Sequence, residues 1–500
     1  MRVVVVGGGT AGWMVTYYLS QIHLCVNVST KEIPIIGVGE GTTGKFLDVF
    51  KMDPVDMMHG MDALPKLGIK FDNWSKTKKS FLSPIDGTPT ASYYIDYTCL
   101  AHRPVSKHIT LMDDEKSNYF IDHPNLICDY NQNGMHIDAY KTSEFFKQKS
   151  SVLKHYDAKV VKVNREYGRI TSIELDTGDV LKGDLFVDCS GFSRVLNDPD
   201  DWVDYSEYLP VNRAVVYRTE TENPRKPYTL ATARKYGWTW EIPTRTKIGK
   251  GYVYCDKYAS EDDILEELGD VEKVKSVEFK SGRITKFLDK NCLSLGLSSG
   301  FLEPLQATSI HLTLMQLERF AYGYPTEDLF SDEDMERDYN QYCATLHDSM
   351  RDFVSLHYSG GKTDTDFWKD VKVTTFVQKI ISLTKKRLPR SFDFPKIGGG
   401  VAQESYNPIL WGLGHFEGCP IKQTFDIDNA SMVYWRQKAK EFGGDTSHYL
   451  TIDQLNDIIA SLGQTQNLPW SGWVIDPSGF LLPKSKWCGW VTPAWFLASS

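Results

Sequence analysis

The chain opens on an unbroken apolar run, Val3–Val6, with no polar alternation. A run of that kind predicts a strand buried on both faces of a parallel sheet. Three glycines follow at once, then a helical stretch, WMVTYYLSQI, and a second strand pattern over 23–29 (HLCVNVS). The order strand, turn, helix, strand predicts a βαβ unit beginning at residue 1. Residues 170–191 (ITSIELDTGDVLKGDLFVDCSG) read as a hairpin that returns to the parallel sheet, and 230–256 as a further strand-rich segment. Helical periodicity governs 309 to about 358, where SGG (359–361) breaks it. Beyond 440 a helical piece precedes a Pro-interrupted tail carrying Trp470, Trp473, Trp487, Trp490 and Trp495. No internal repeat or low-complexity linker divides the chain. The fold class expected is α/β: a Rossmann-type dinucleotide-binding part, an interleaved β-rich part and a mainly helical C-terminal lobe. The expected division is 1–370 for the core and 371–500 for the lobe and tail.

Composition changes this picture little. The 500 residues are 41% hydrophobic and 13% aromatic, enough for a large core and an aromatic-lined cavity. A formal net charge of -9 without a basic stripe argues against nucleic acid as a partner. The nine cysteines include no CxxC pair, so neither a zinc cage nor a disulfide framework is expected, and a reducing cytoplasm is the simplest compartment. No apolar run reaches about eighteen residues, so no membrane span is expected. The first residues read as a strand and not as a cleavable signal. A homo-oligomer built on the Trp-rich tail is compatible with the sequence, though a tail folded across the body is the plainer reading.

The chemistry concentrates at a few places. Gly7-x-Gly9-x-x-Gly12 sits between the first strand and first helix. Gly7 permits the turn, Gly9 lets a pyrophosphate approach the backbone, and Gly12 lets helix and strand pack closely. Thr10 and Ala11 open the helix, whose free N–H groups and positive dipole end face the phosphates. The ribose carboxylate expected at the end of the second strand is replaced by Ser29, with Glu32 nearby. A second glycine-rich turn, Gly39-Glu40-Gly41-Thr42, offers Glu40 for part of that task, and Val160 is a further cofactor-side candidate.

Five strings occur in order: GGGTAGW from residue 7, IPIIGVGEGTT (33–43), DLFVDCSGF (184–192), GWTWEIP (237–243) and SSGFLEPLQATSI (298–310). Together they resemble the flavin-dependent halogenases, in particular the tryptophan-halogenase branch. The specific mark is Trp238-x-Trp240-x-Ile242-Pro243. It sets the halogenases apart from flavin monooxygenases of the same fold, so an aromatic hydroxylase is the runner-up and a degenerate FAD-binding protein a third reading. The resemblance implies FAD bound as FADH2, supplied by a separate flavin reductase, with O2 and a halide as co-substrates. A flavin hydroperoxide would oxidise the halide to hypohalous acid. A lysine would then present this to a small, electron-rich aromatic substrate, an indole or a phenol. The family lysine maps to Lys66, four residues before Lys70 in the IKFDNW string. Trp238, Trp240, Ile242 and Pro243 would wall substrate from flavin.

The stretch GFLEPLQATSIHL (300–312) would carry the halide site, with Thr308 and Ser309 as its residues and either as N-cap of the following helix. The family glutamate position holds Gln306, a neutral amide that cannot act as a base. Glu303 reads as structural. Tryptophan-specific members of the family carry a tyrosine pair and a downstream glutamate that hold the amino acid, and 392–414 has no such pair. Tyr93, Tyr94 and Tyr97 are candidates to sandwich a ring. Without the carboxylate, bromide or iodide is expected to react more easily than chloride.

Overall fold

The structure, a computed structural model, describes residues 1–29, 39–85, 104, 106–122, 125–128, 133–219, 225–324, 326–419, 437, 444–464, 473–475 and 481–483. Strand Arg2–Val6 lies between Leu24–Ser29 and Leu185–Asp188, parallel to both. Its alternate residues explain the unbroken apolar run. Val3 and Val5 pack into one cluster with Val15 and Leu19 of the first helix, while Val4 and Val6 pack on the other face with Ile173 and Leu175. Both faces are covered, so no position is left for a polar side chain. Lys154–Asp157, Cys292–Ser294 and Leu288–Asp289 complete this six-stranded sheet. The hairpin read at 170–191 is present: Arg169–Leu175 pairs antiparallel with Val180–Leu181, and the chain then rejoins the parallel sheet.

A second sheet of seven strands stands over the first. Its order is Glu272–Glu278, Arg213–Arg218, Ile248–Tyr254, Gly237–Pro243, Tyr228–Ala233, Gly68–Asp72 and Ser80–Pro84. All pairs are antiparallel except Tyr228–Ala233 with Gly68–Asp72. On strand Gly237–Pro243 the period of two sends Trp238, Trp240 and Ile242 to one face. They join the largest core cluster, which reaches from Ile69 to Cys419.

The helical region expected from 309 to 358 consists of Thr308–Gly323, Glu327–Phe330 and Glu333–Leu356. A further helix, Ile452–Gln464, follows beyond 440 as the periodicity predicts. Of the Trp-rich tail, only the short antiparallel pair Trp473–Ile475 and Leu481–Pro483 falls among the described residues. No helix among the described residues is long and apolar enough to cross a membrane. The seven described cysteines are buried, and no disulfide joins them among the described residues.

Candidate active site

One cavity of about 710 Å³ lies between the two sheets, and the glycine-rich turn forms one end of it. Gly7 has φ +139°, and a Cβ there would stand 2.2 Å from Cys189 O. A Cβ on Gly12 would stand 2.2 Å from Gly7 O, so the helix closes on the turn only with glycine at 12, as the turn closes on Cys189 only with glycine at 7. Gly9 differs: a Cβ there would meet nothing within 4 Å. The backbone at Gly9 therefore faces open cavity, as an approaching pyrophosphate requires, at the mouth of helix Thr10–Ser20. Thr10, Ala11, Ser29, Val160, Gly39, Glu40 and Gly41 share the lining with Gly7 and Gly9. These residues fit a dinucleotide.

Two of the expected contacts differ in detail. The Ser29 hydroxyl donates to Asn27 Oδ1 at 3.1 Å and lies 2.9 Å from His155 Nε2, so the protein already takes up much of its hydrogen-bonding capacity. Residues 40–41 form not a free turn but a short strand paired with His136 and Ile137. One residue further, Thr42 turns inward, where its hydroxyl accepts from Met135 N–H at 2.8 Å. It is fully buried and absent from the cavity wall. Glu40 remains on the wall, its carboxyl pushed up to about 7 by burial and by the neighbouring Asp138.

Trp238, Trp240 and Ile242 line the same cavity. The two indoles meet edge to face with centroids 6.3 Å apart. Trp240 lies across the neighbouring strand at Gly251, where a Cβ would stand 2.1 Å from the ring. Trp238 Nε1 donates to Glu303 Oε1 at 3.2 Å, and Tyr358 OH reaches both Glu303 oxygens at 2.8 Å. Glu303 is fully buried, and burial pushes its carboxyl up to about 8. It anchors the wall from behind, which agrees with its reading as structural. Pro243 is buried at the end of the strand and does not line the cavity.

Lys66 ends the short strand Leu64–Lys66, paired with Gly134–Ile137. It is 2% exposed and on the cavity wall, and it has no hydrogen-bond or ion-pair partner among the described residues. Burial without a counter-charge lowers it to about 7. Lys70, four residues on, is half-buried near the Tyr228 ring, outside the cavity wall. His136, buried beside Lys66, holds Thr229 Oγ1 at 2.9 Å through Nε2, and burial followed by the Lys66 charge pushes it well below the usual histidine range.

Residues 304–309 line the cavity together with Lys66 and the Trp wall. Gln306 and Ala307 are both left-handed, with φ 66° and 55°. Two such non-glycine residues in succession store strain, the kind of backbone that functional sites tolerate. This overturns the expected cap. Ala307, not Thr308 or Ser309, is the N-cap of helix Thr308–Gly323, and it makes no side-chain cap bond. Thr308 and Ser309 are the first two helical residues and both line the cavity. Thr308 Oγ1 is buried with no hydrogen-bond partner among the described residues, at a helix start that carries no acid in its first turn. An unpaired donor in that position suits an anion.

The sequence reading missed His357, whose Nε2 lies 2.8 Å from Gln306 Nε2. It also missed the left-handed pair and the buried His136 beside Lys66. No local pattern marks any of them. Tyr93, Tyr94 and Tyr97 lie outside the described residues.

The family model for tryptophan halogenase matches residues 2–416. Tryptophan 7-halogenase RebH from Lentzea aerocolonigenes is 28% identical over 492 residues, covering 86% of this chain and 92% of its own. Tryptophan 6-halogenase SttH from Streptomyces toxytricini has a crystal structure that superposes with a TM-score of 0.80 at 28% identity, covering 92% of this chain and 99% of its own. The tryptophan C-6 halogenase Tar14 of taromycin biosynthesis superposes at 0.81 with 26% identity, over 92% and 99% of the two chains. They favour a halogenase over an aromatic hydroxylase.

Proposed function

The chain belongs to the tryptophan halogenase family, and from that premise we propose that Lys66 relays hypohalous acid to an indole or phenol ring. Members of the family are flavin-dependent halogenases that use FADH2, O2 and a halide, with reduced flavin drawn from a separate reductase. The observation that carries the proposal is Lys66: a buried lysine, without a hydrogen-bond or ion-pair partner among the described residues, on the same cavity wall as the glycine-rich turn, the Trp wall and residues 306–309.

Gly7, Gly9, Thr10 and Ala11 would hold the FAD pyrophosphate, with Ser29, Glu40 and Val160 around the rest of the nucleotide. Reduced flavin supplies the electrons that let O2 oxidise a halide to hypohalous acid. Thr308 and Ser309 hold the halide through the unpaired hydroxyl and the first N–H groups of their helix. Trp238, Trp240 and Ile242 exclude water and keep the ring apart from the flavin side.

At a value of about 7, Lys66 populates ammonium and amine together near neutral pH. As ammonium it donates to the hydroxyl oxygen of hypohalous acid. When the ring carbon takes the halogen, the oxygen–halogen bond breaks and the Lys66 proton passes to the departing hydroxide to make water. The amine left behind can take the proton that the ring releases. Gln306 has no such capacity, so the lysine closes the proton cycle by itself.

The test supplies FADH2 from an added reductase, with bromide, to a panel of indoles and phenols, and reads product mass. Brominated product that vanishes in Lys66→Ala is expected. Unaltered masses throughout, or halide-independent gain of oxygen, would sink the proposal. The native ring is the finer question, because 392–414 has no tyrosine pair of the kind that holds free tryptophan.

A further inference from the structure

His357 decides which way Gln306 faces. Its Nδ1 meets two main-chain carbonyls, Phe353 O at 2.9 Å and Val354 O at 3.2 Å. Carbonyls only accept, so Nδ1 carries the ring hydrogen. His357 is fully buried among Phe71, Trp74 and Phe353, and burial lowers it to about 4. The imidazole is therefore neutral at working pH, and Nε2 turns a lone pair toward Gln306. A lone pair needs a donor, so the amide atom 2.8 Å away is the NH2 group. The orientation of a glutamine amide is ordinarily an open choice, but here the histidine tautomer removes it.

The carbonyl end follows by elimination. With NH2 spent on His357, Oε1 is the free end of the amide, and Gln306 lines the cavity that holds Lys66. No described residue donates to Oε1. A Cβ on Gly41 would stand 2.9 Å from Lys66 Nζ and 3.2 Å from Ala307 Cβ, which brings the lysine head up to the residue next to Gln306. The left-handed backbone at 306 and 307 sets the direction of this side chain at a cost in strain.

We propose that His357 is a positioning residue that locks the Gln306 amide with Oε1 toward the cavity, as a fixed acceptor for a ring bearing an N–H or O–H donor. The ligand class is thereby indoles with a free N–H and phenols with a free O–H, and not their N- or O-methylated forms. A methylated ring would leave Oε1 buried against carbon and unpaired. The inference rests on the halogenase reading only in taking this cavity as the place where the ring binds.

The experiment measures calorimetric binding of indole and N-methylindole to the full chain, wild type against His357→Phe, Gln306→Met and the double variant. Phenylalanine fills the imidazole space in an aromatic setting, and methionine keeps the glutamine length without an acceptor. Wild type should prefer indole by about five-fold, the worth of one neutral hydrogen bond. Each single variant should bring the two ligands within about two-fold of each other, and the double variant should add nothing further. Wild type without a preference, or His357→Phe with the preference intact, would overturn the proposal. If His357→Phe does not fold, Gln306→Met decides alone, and a retained preference there overturns it too. Binding is read apart from turnover, so a protein that prefers indole yet brominates nothing supports this inference while sinking the halogenase reading.

Discussion

Gly41 and Lys66 share one corner of the cavity: the lysine Nζ stands 2.9 Å from where a Cβ on Gly41 would be. Gly41 has no positive φ, so alanine is conformationally admissible there. What the methyl group displaces first is the far end of a flexible side chain, with Ala307 Cβ next at 3.2 Å. Gly41→Ala should thus fold within about 1 kcal/mol of wild type. Its halogenation rate should fall by roughly ten-fold or more, because a relay residue moved by a fraction of an ångström loses its alignment. Thermal melts and bromination rates measured side by side check this, and an unchanged rate would remove Lys66 from the relay.

Burial of Lys66 also predicts a pH-dependent stability difference. Its value near 7 in the folded chain lies below the usual 10.5 that it regains on unfolding. Between these values the unfolded chain binds more protons, so the lysine's contribution to stability rises with pH. The handicap is full below about pH 7 and fades toward pH 10. Lys66→Met should therefore be more stable than wild type at pH 6, on the order of a few kcal/mol in the flavin-free protein, and the gap should close toward pH 10. Denaturant titrations at the two pH values test this, and a constant gap would mean that the ammonium is solvated.

What was legible in the sequence was local. Gly7, Gly9 and Gly12 announce a strand–turn–helix unit because Gly7 and Gly12 answer close approaches of backbone and Gly9 leaves the turn open to the cavity. Trp238 and Trp240 share a face because strands alternate. Thr42 could not be placed from its string, because its hydroxyl is turned inward by Met135 N–H, 93 residues away in the chain. Gln306 and Ala307 adopt left-handed backbone that the sequence of a non-glycine pair does not signal. His357 lies 51 residues beyond Gln306 and reaches it only through the packing of helix Glu333–Leu356. Lys66 was found through a string resembling a family, since periodicity does not separate it from Lys70.

Glu303 should respond differently to two substitutions. Its folded value of about 8 lies above the ordinary 4.5, so its stabilising contribution is full at low pH and is lost as pH rises through 8. Glu303→Gln imitates the protonated acid and should stay within about 1 kcal/mol of wild type at pH 6, with less loss at pH 9. Glu303→Leu strands the Trp238 N–H and the Tyr358 hydroxyl in the core and should cost roughly 2–4 kcal/mol. Urea unfolding at pH 6 and 9 separates them, and equal losses for the two variants would contradict the assignment of those hydrogen bonds.

Gln306→Glu would restore the family's acid, but against a partner built for an amide. The new carboxylate would meet the Nε2 lone pair of His357, acceptor against acceptor at 2.8 Å. The pair is satisfied only by taking up a proton, on the ring or on the acid. In the unfolded chain neither group keeps that proton above about pH 6.5. The folded variant then binds more protons than the unfolded one, so its stability must fall as pH rises. Relative to wild type, Gln306→Glu should melt near the wild-type temperature at pH 5.5 and several degrees lower at pH 8. Bromination should weaken over the same interval as the pair gives up its proton. Parallel melting curves for the two proteins would mean that His357 does not face residue 306 through its lone pair.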